Sequence, residues 1–214
     1  MPVKIMGMHA GVSVGPDGAT HQMLEDLTML RVLPRMTVFN PCDAEEARKA
    51  VAAAAATDDT TYIRFGRSKV PVFTTADTPF EIGKALTLWT SARPKVTLLA
   101  TGSMSYNALC AARELEADRI ESIVLHVATV KPLDDQAILS AARAAGRVVT
   151  IEEHQVAAGF GSAVAELLSR TFPVKMEFMG IHDEFGQSGT PEELIEHFGL
   201  SPRHIAEVAR HILA

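Results

Sequence analysis

The sequence predicts an α/β protein built mainly from parallel sheets. Short apolar runs that suit buried strands alternate with longer segments whose apolar residues recur at helical spacing. Glycine, proline and aspartate separate these segments. A chain of 214 residues, with 47% hydrophobic and 21% charged residues, has room for one large globular domain or two small ones. Because the alternation continues to the end, we expect two α/β units, each with a mostly parallel sheet.

The first predicted unit comprises residues 1–75. Its strands are VKIMGMH (3–9), MTVFN (36–40) and TYIRFG (61–66). One helix is predicted in THQMLEDLTMLRVL with Thr20 as its N-cap, and a second follows Asp43 and Glu46, which have the spacing of a capping box. A unit of three strands and two helices is near the lower size limit for an independent hydrophobic core, and the sequence begins within the first strand. We therefore expect an incomplete sheet with an exposed edge that favours a dimer or higher oligomer.

A linker is predicted at residues 76–94, which are rich in Thr, Pro, Gly and Ser around one plausible strand, Ala85–Trp89. The second unit, residues 95–214, has clearer elements. Its predicted strands are VTLLA (96–100), SIVLHVATV (122–130), RVVTIEE (147–153) and VKMEFMGI (174–181). Helices follow each strand, and the last two begin with Thr190-Pro191 and Ser201-Pro202, each a cap residue before a proline at the first helical position.

Charge and cysteine content exclude several classes of function. The net charge is −6 and no block of five like charges occurs, which argues against nucleic acid and anionic membranes as partners. No apolar window is long enough for a transmembrane helix, and the N-terminus has no signal-peptide pattern. Cys42 and Cys110 lie on separate predicted elements, so neither a disulfide nor a metal site is predicted. We expect a cytoplasmic protein.

The segment HAGVSVGPDGATHQ is the strongest candidate for a functional site. A glycine-rich loop separates His9 from His21, and a helix beginning at Thr20 would place its amide groups beside His21, a setting that favours an anion. Arg67 follows the strand TYIRFG, at the strand end where open α/β sheets bind ligands. Arg64 lies within that strand, where packing or a surface ion pair is the simpler role.

A second polar cluster, Glu152, Glu153 and His154, ends a predicted strand. Adjacent strand residues face opposite sides, so the two carboxylates do not converge on one ligand. We predict a structural or interface role for this cluster, and a tight strand-to-helix turn for ATGS (100–103).

Several segments resemble the transketolases. GMHAGVSVGPDGATHQMLEDLTMLRVLPRMTVFNPCDAEEARKAV and YIRFGRSKVPVF resemble the end of their pyrimidine-binding domain. LLATGSMSYNALCAARELEA, VKPLDDQAI and VVTIEEHQVAAGFGSAVAELL resemble their C-terminal domain. The resemblance covers nearly the whole chain. The DGATHQ motif favours transketolase over two alternatives that share the domain order, 1-deoxyxylulose-5-phosphate synthase and the β subunits of 2-oxo acid dehydrogenases.

The resemblance implies roles for four residues. His9 and Arg67 would contact the phosphate of the sugar donor, Asp17 would contact a sugar hydroxyl, and His21 would lie beside the reacting end of the substrate and the cofactor. His21 is thus the expected catalytic and cofactor-binding residue. No metal ligand is expected.

The resemblance also implies an activity, transfer of a two-carbon ketol unit between sugar phosphates in the pentose phosphate pathway, with thiamine diphosphate and Mg²⁺. The family's Gly-Asp-Gly and Asn-rich metal site and its cofactor-activating glutamate have no counterpart here. We therefore expect a C-terminal part or subunit that requires an N-terminal half or subunit, binds no cofactor tightly and is inactive alone. A non-catalytic assembly or regulatory module of the same fold is the alternative, but a module would not need His9, Asp17, His21 and Arg67 together.

Overall fold

The computed structural model describes residues 2–214, which form two sheets flanked by helices. The strands are β1 (Lys4–Gly7), β2 (Met36–Phe39), β3 (Thr60–Arg64), β4 (Leu86–Thr90), β5 (Val96–Ala100), β6 (Ser122–His126), β7 (Thr129–Lys131), β8 (Arg147–Gln155) and β9 (Lys175–Ile181). The helices are α1 (Asp26–Arg31), α2 (Ala44–Ala56), α3 (Met104–Ala117), α4 (Asp135–Ala145), α5 (Phe160–Thr171), α6 (Pro191–His197) and α7 (Pro202–Leu213).

Both sheets are mostly parallel, as predicted. The first has the order β1-β3-β2-β7, and the second β4-β6-β5-β8-β9. Only β7 in the first sheet and β4 in the second pair antiparallel to their neighbours. The prediction of an α/β fold with mostly parallel sheets is confirmed.

The second sheet is covered by helices on both faces. Along β5, Leu98 packs in one core with Leu115 of α3, while its neighbour Leu99 packs in the other with Phe160 of α5. Successive side chains of a strand point to opposite faces, so a strand buried on both sides must be apolar throughout. This explains the uninterrupted run VTLLA.

Two strands belong to different sheets from those predicted or lie outside the predicted units. The predicted strand 122–130 is in fact two strands: β6 ends at His126, and β7 crosses to the first sheet, where Phe39 pairs with Thr129. Within the predicted linker, β4 pairs with β6 as the outer strand of the second sheet. Each sheet therefore has one antiparallel edge strand, β7 or β4, and each of these pairs with a strand that is distant in the sequence.

The predicted helix start at Thr20 is wrong. Thr20 lies in a turn, and α1 begins only at Asp26 with no side-chain cap. Met23 instead forms a bridge with Ala10, and its carbonyl accepts a hydrogen bond from Gly11 N at 2.9 Å. Because the backbone of this segment pairs with the loop, it cannot make helical hydrogen bonds, and no helix N-terminus lies beside His21.

Two predicted caps are confirmed. Asp43 accepts from Glu46 N at the start of α2, and Thr190 forms a complete capping box with Glu193 at the start of α6. At the other side of the first sheet, β1 forms the edge, and the apolar side chains of Ile5, Met6 and Met8 beside it are exposed. Within residues 2–214, no helix has the length and hydrophobicity needed to cross a bilayer.

Candidate functional site

The loop between His9 and Gln22 is tightly folded around glycines. Val12–Val14 form a short 3-10 turn, and Val12 and Val14 are buried. Gly11, with φ of 88°, packs against the second unit so closely that a Cβ would lie 2.2 Å from Glu153 Oε1. A side chain here would meet both backbone strain and this clash. The glycines thus let the loop contact the second unit directly.

Glu153 of β8 anchors the loop from the second unit. Its Oε1 accepts from Ser13 N at 2.6 Å, and its Oε2 accepts from the Ser103 hydroxyl at 3.1 Å. On the opposite side, the Ser68 hydroxyl donates to Ser13 O. The loop is therefore fixed between the end of β3, the turn after β5 and the end of β8. The prediction of a structural role for Glu153 agrees with these contacts.

Gln22 anchors the other end of the loop. Its buried side-chain amide donates to Val12 O at 2.9 Å and to Gln187 O at 2.8 Å. Gly186 packs against the same side chain, since a Cβ there would lie 1.7 Å from Gln22 Oε1. The segment before α6 therefore holds the Gln22 end of the loop through the contacts of Gly186 and Gln187.

The structure brings the four predicted site residues to one surface. Arg67 Nη1 lies 2.5 Å from Asp17 Oδ2 and 3.4 Å from Val14 O. The hydrogen bond from Arg67 lowers the pKa of the Asp17 carboxyl, and the charges of Arg67, His21 and His9 act in the same direction. All four residues are exposed. Asp17 thus lies within electrostatic range of the other three.

His21 lies at the end of the loop, beside a shallow surface cavity of about 310 Å³. Its Nδ1 is 2.9 Å from the Thr20 hydroxyl, and its backbone N–H donates to Gly18 O. Phe185, which is 85% exposed, borders the same cavity. A turn, and not a helix N-terminus, therefore positions this imidazole.

Arg64 has a structural role, as predicted, but its ion pair is buried and not at the surface. Its Nε is 3.0 Å from both carboxylate oxygens of Asp26, and its Nη2 donates to the carbonyls of Met23 and Glu153. Burial alone would raise the pKa of Asp26, but the Arg64 charge and the Tyr62 hydroxyl outweigh it and lower that pKa. This buried ion pair joins α1, β3 and β8.

Glu152 and His154 lie in the same buried region. Glu152 accepts from Phe160 N and Gly161 N, both at 2.7 Å, but burial outweighs these bonds and raises its pKa to about 8. Burial, helped by the Arg64 charge, lowers the pKa of His154 to about 4. His154 is therefore neutral at pH 7, and its proximity to Asp26 at 3.7 Å is not an ion pair.

A third cluster was missed from the sequence. Cys42, Glu46 and His126 lie together, with their donor atoms within 4.8 Å of one another. His126 Nε2 is 2.7 Å from Glu46 Oε2, and His126 Nδ1 is 2.6 Å from the Ser105 hydroxyl. Cys42 and Glu46 lie four residues apart at the start of α2, but His126 comes from a distant segment. Only the folded topology reveals them.

A cavity of about 460 Å³ adjoins this cluster. It lies at the carboxyl ends of β2 and β3, facing the turn after β5, and its lining includes Cys42, Ser68, Lys69, Ser103 and Glu153. Two of these, Ser68 and Glu153, also hold the His9–Gln22 loop. The cavity therefore borders the residues that hold the loop, although Asp17 and Arg67 do not line it.

Comparison with known proteins gives consistent matches. The family described as "Transketolase, C-terminal domain" matches residues 83–205, and "Transketolase, pyrimidine binding domain" matches residues 1–72. The chain is 38% identical, over 97% of its length, to one of the subunits of the apulose-4-phosphate transketolase of Phocaeicola vulgatus, covering 66% of that protein. It is 40% identical, over 95% of its length, to transketolase-like protein 2 of Mus musculus, covering 32% of it.

Solved structures also match this chain to transketolases. A protein described as "Split gene transketolase, inactive beta4 tetramer" superposes with a TM-score of 0.91 at 43% identity, covering 99% of this chain and 67% of that one. The transketolase of Campylobacter jejuni superposes with a TM-score of 0.79 at 25% identity, covering 97% of this chain and 31% of its own. The chain thus spans about two thirds of the separate-subunit relatives and about a third of the longer ones. It belongs to the transketolase family, with the pyrimidine-binding and C-terminal domain sequences of that family.

Proposed function

We propose that this chain is the C-terminal part or subunit of a thiamine-diphosphate-dependent transketolase. In the complete enzyme it would act in transfer of a two-carbon ketol unit between sugar phosphates. The observation that carries the proposal is the convergence of His9, Asp17, His21 and Arg67 at one loop. A cytoplasmic role in the pentose phosphate pathway, and domain boundaries at residues 75 and 95, remain predictions.

The charge arrangement suits a phosphorylated sugar. Arg67 uses one nitrogen for Asp17, and a guanidinium has five N–H donors in a fixed planar fork. The remaining donors can hold a phosphate while Asp17 keeps the side chain oriented. His9 adds a second donor on the same surface, and Asp17 offers an acceptor for a sugar hydroxyl.

The cofactor of the family does not fit this chain alone. Mg²⁺ prefers oxygen ligands in octahedral geometry. Within residues 2–214, the one group of three or more His, Cys, Asp or Glu donors close enough for an ion includes a thiol and an imidazole. We therefore expect the diphosphate and Mg²⁺ to be held by an N-terminal half or subunit, with His21 as the residue of this chain nearest the cofactor.

Two relatives support a separate partner. The proteins of Phocaeicola vulgatus and of Clostridium sp. are both described as subunits of transketolases, the second as a 6-deoxy-6-sulfo-D-fructose transketolase subunit at 39% identity. The exposed apolar residues Ile5, Met6 and Met8 beside the edge strand β1 favour further association, because unpaired edges recruit other strands. We expect an N-terminal partner and a homo-oligomer.

The proposal is tested by reconstitution. The purified chain, thiamine diphosphate and Mg²⁺ should show no ketol transfer, and adding the N-terminal half or subunit should produce it. Measurable transfer by the chain alone would contradict the assignment of the cofactor site. Failure of every N-terminal partner to restore transfer would favour a non-catalytic module of the same fold.

Variants then test the residues. We expect His21→Ala to lower kcat. Arg67→Ala should raise KM for phosphorylated donors about 10- to 100-fold, because it removes a charge-assisted contact made in ground and transition states alike. An unphosphorylated ketol donor should be much less affected. Arg48→Ala is the matched control, since Arg48 lies exposed on α2 away from the loop. An equal effect of Arg67→Ala on both donors would contradict the phosphate role.

A further inference from the structure

We propose that Cys42, Glu46 and His126 form a binding site for a Zn²⁺-type divalent cation, separate from the sugar-phosphate surface. The three side chains are almost fully buried, and their donor atoms lie within 4.8 Å of one another. Cys42 follows β2, Glu46 lies in the first turn of α2 and His126 ends β6. Three rigid parts of the fold therefore present one donor each to the same point.

The donor set selects the class of cation. A thiolate, an imidazole and a carboxylate are the protein ligands that Zn²⁺ and Co²⁺ accept, whereas Mg²⁺ and Ca²⁺ require oxygen ligands. Three protein ligands leave a fourth tetrahedral position for water. Cys42 lines the 460 Å³ cavity, so an ion and its water have a route to the cluster from that side.

Charge balance supports the same choice. A divalent cation would displace the thiol proton to solvent. The ion, one thiolate, one carboxylate and one neutral imidazole then sum to zero charge, which is the combination that a buried site tolerates best.

His126 can ligate an ion if its Nε2 exchanges the 2.7 Å hydrogen bond with Glu46 Oε2 for a bond to the metal. The Ser105 hydroxyl lies 2.6 Å from His126 Nδ1. When Nε2 coordinates the ion, the imidazole keeps one proton on Nδ1, and the hydroxyl accepts it. This outer contact fixes the ring orientation as second partners do in metal sites. Cys42 N donates to Glu46 Oε2 at 2.7 Å and orients the carboxylate in the same way.

Binding would join the two units of the chain. Cys42 and Glu46 belong to the unit of the first sheet, and His126 belongs to the second sheet. A cation bound to all three would hold α2 against β6. We therefore expect it to raise the thermal unfolding temperature in a concentration-dependent manner.

Co²⁺ spectroscopy tests the site without any assay of transketolase activity. Metal-stripped protein is titrated with Co²⁺, and a thiolate-to-Co²⁺ charge-transfer band in the near ultraviolet should grow to one equivalent and be displaced by Zn²⁺. Since Cys110 is the only other cysteine, Cys110→Ser is the matched control and should keep the band. Cys42→Ser should abolish it. Ser105→Ala should weaken affinity about 10- to 100-fold while retaining the band.

The Co²⁺ titration gives a result even if some variants do not fold. In Cys110→Ser, any thiolate band must come from Cys42, so this protein alone assigns the sulfur ligand. Absence of the band at saturating Co²⁺, or its loss in Cys110→Ser, would overturn the proposal. In that case the cluster is a hydrogen-bonded network that joins the two units without an ion. Neither result bears on the reconstitution experiment.

Discussion

Replacement of Arg64 by methionine should strongly destabilise the fold. The guanidinium is 5% exposed and bonds both oxygens of Asp26, whose side chain is 2% exposed. It also bonds Met23 O at 3.1 Å and Glu153 O at 2.9 Å. Methionine fills similar volume but leaves the Asp26 carboxylate buried with only the Tyr62 hydroxyl as a close partner. The variant therefore removes the buried ion pair and the two carbonyl contacts without opening a large cavity.

The expected loss in free energy of unfolding is about 3–5 kcal/mol, the usual result of removing one partner from a buried pair. For a chain of this length each kcal/mol corresponds to about 2–4 °C, so the melting temperature should fall by about 6–20 °C. The Tyr62 hydrogen bond, 2.7 Å long, places the expectation at the lower part of the range. A variant that also carries Asp26→Asn should regain part of the loss, because the unpaired charge is then absent.

Urea unfolding followed by circular dichroism measures both quantities. Arg48→Met is the control, since the Arg48 side chain is 76% exposed and its replacement should change stability by less than about 0.5 kcal/mol. A loss below about 1 kcal/mol for Arg64→Met would show that the buried ion pair contributes little to stability. So would a double variant with Asp26→Asn that is as unstable as the sum of the single variants, because the two effects should not be additive.

Three further predictions concern other parts of the fold. The pKa of His154 in the folded protein is about 4, below its ordinary value of 6.5, so the contribution of the neutral imidazole to the free energy of unfolding is lost as pH falls from 6.5 to 4. The difference in the free energy of unfolding between the wild type and His154→Asn should therefore change by about 2–3 kcal/mol between these pH values. A constant difference would contradict the burial of a neutral imidazole. Gly186→Ala should displace Gln22 and destabilise the fold by about 1–3 kcal/mol, measured by urea unfolding, with Gly66→Ala as the control, because a Cβ there would lie no closer than 3.9 Å to its nearest neighbour, Ala10 O. Thr190→Ala should cost about 1 kcal/mol through loss of the capping box, and Thr190→Ser should restore most of it.

Local patterns predicted the elements that depend on local physics. The run VTLLA indicated a strand buried on both faces, and Asp43 and Thr190 indicated helix starts through bonds that span only three residues. For the two caps, the signal and its structural partner lie close together in the sequence.

Features that depend on distant partners were not predictable in this way. Thr20 has the chemistry of an N-cap, but Met23 pairs with Ala10 and removes the backbone from the helix. The anchors of the loop, Glu153 and Gln22, were not identified as such because their partners lie in other segments. The loop and strand-end patterns indicated His9, His21 and Arg67, and family resemblance added Asp17 and the role of each residue, whereas the cluster of Cys42, Glu46 and His126 emerged only from the fold.

The pairing of β2 with β7 has a consequence for synthesis of the protein. The ribosome releases the first sheet's parallel strands long before β7, so β2 presents an open edge to solvent while the intervening residues are translated. Contacts between distant segments form slowly, and unpaired edges are where nascent chains aggregate or recruit chaperones. The first sheet is therefore complete only after β7 of the second unit has been synthesised. A stall in translation before Thr129 should leave a product that is degraded or aggregates, even though three of the four strands of the first sheet have been made.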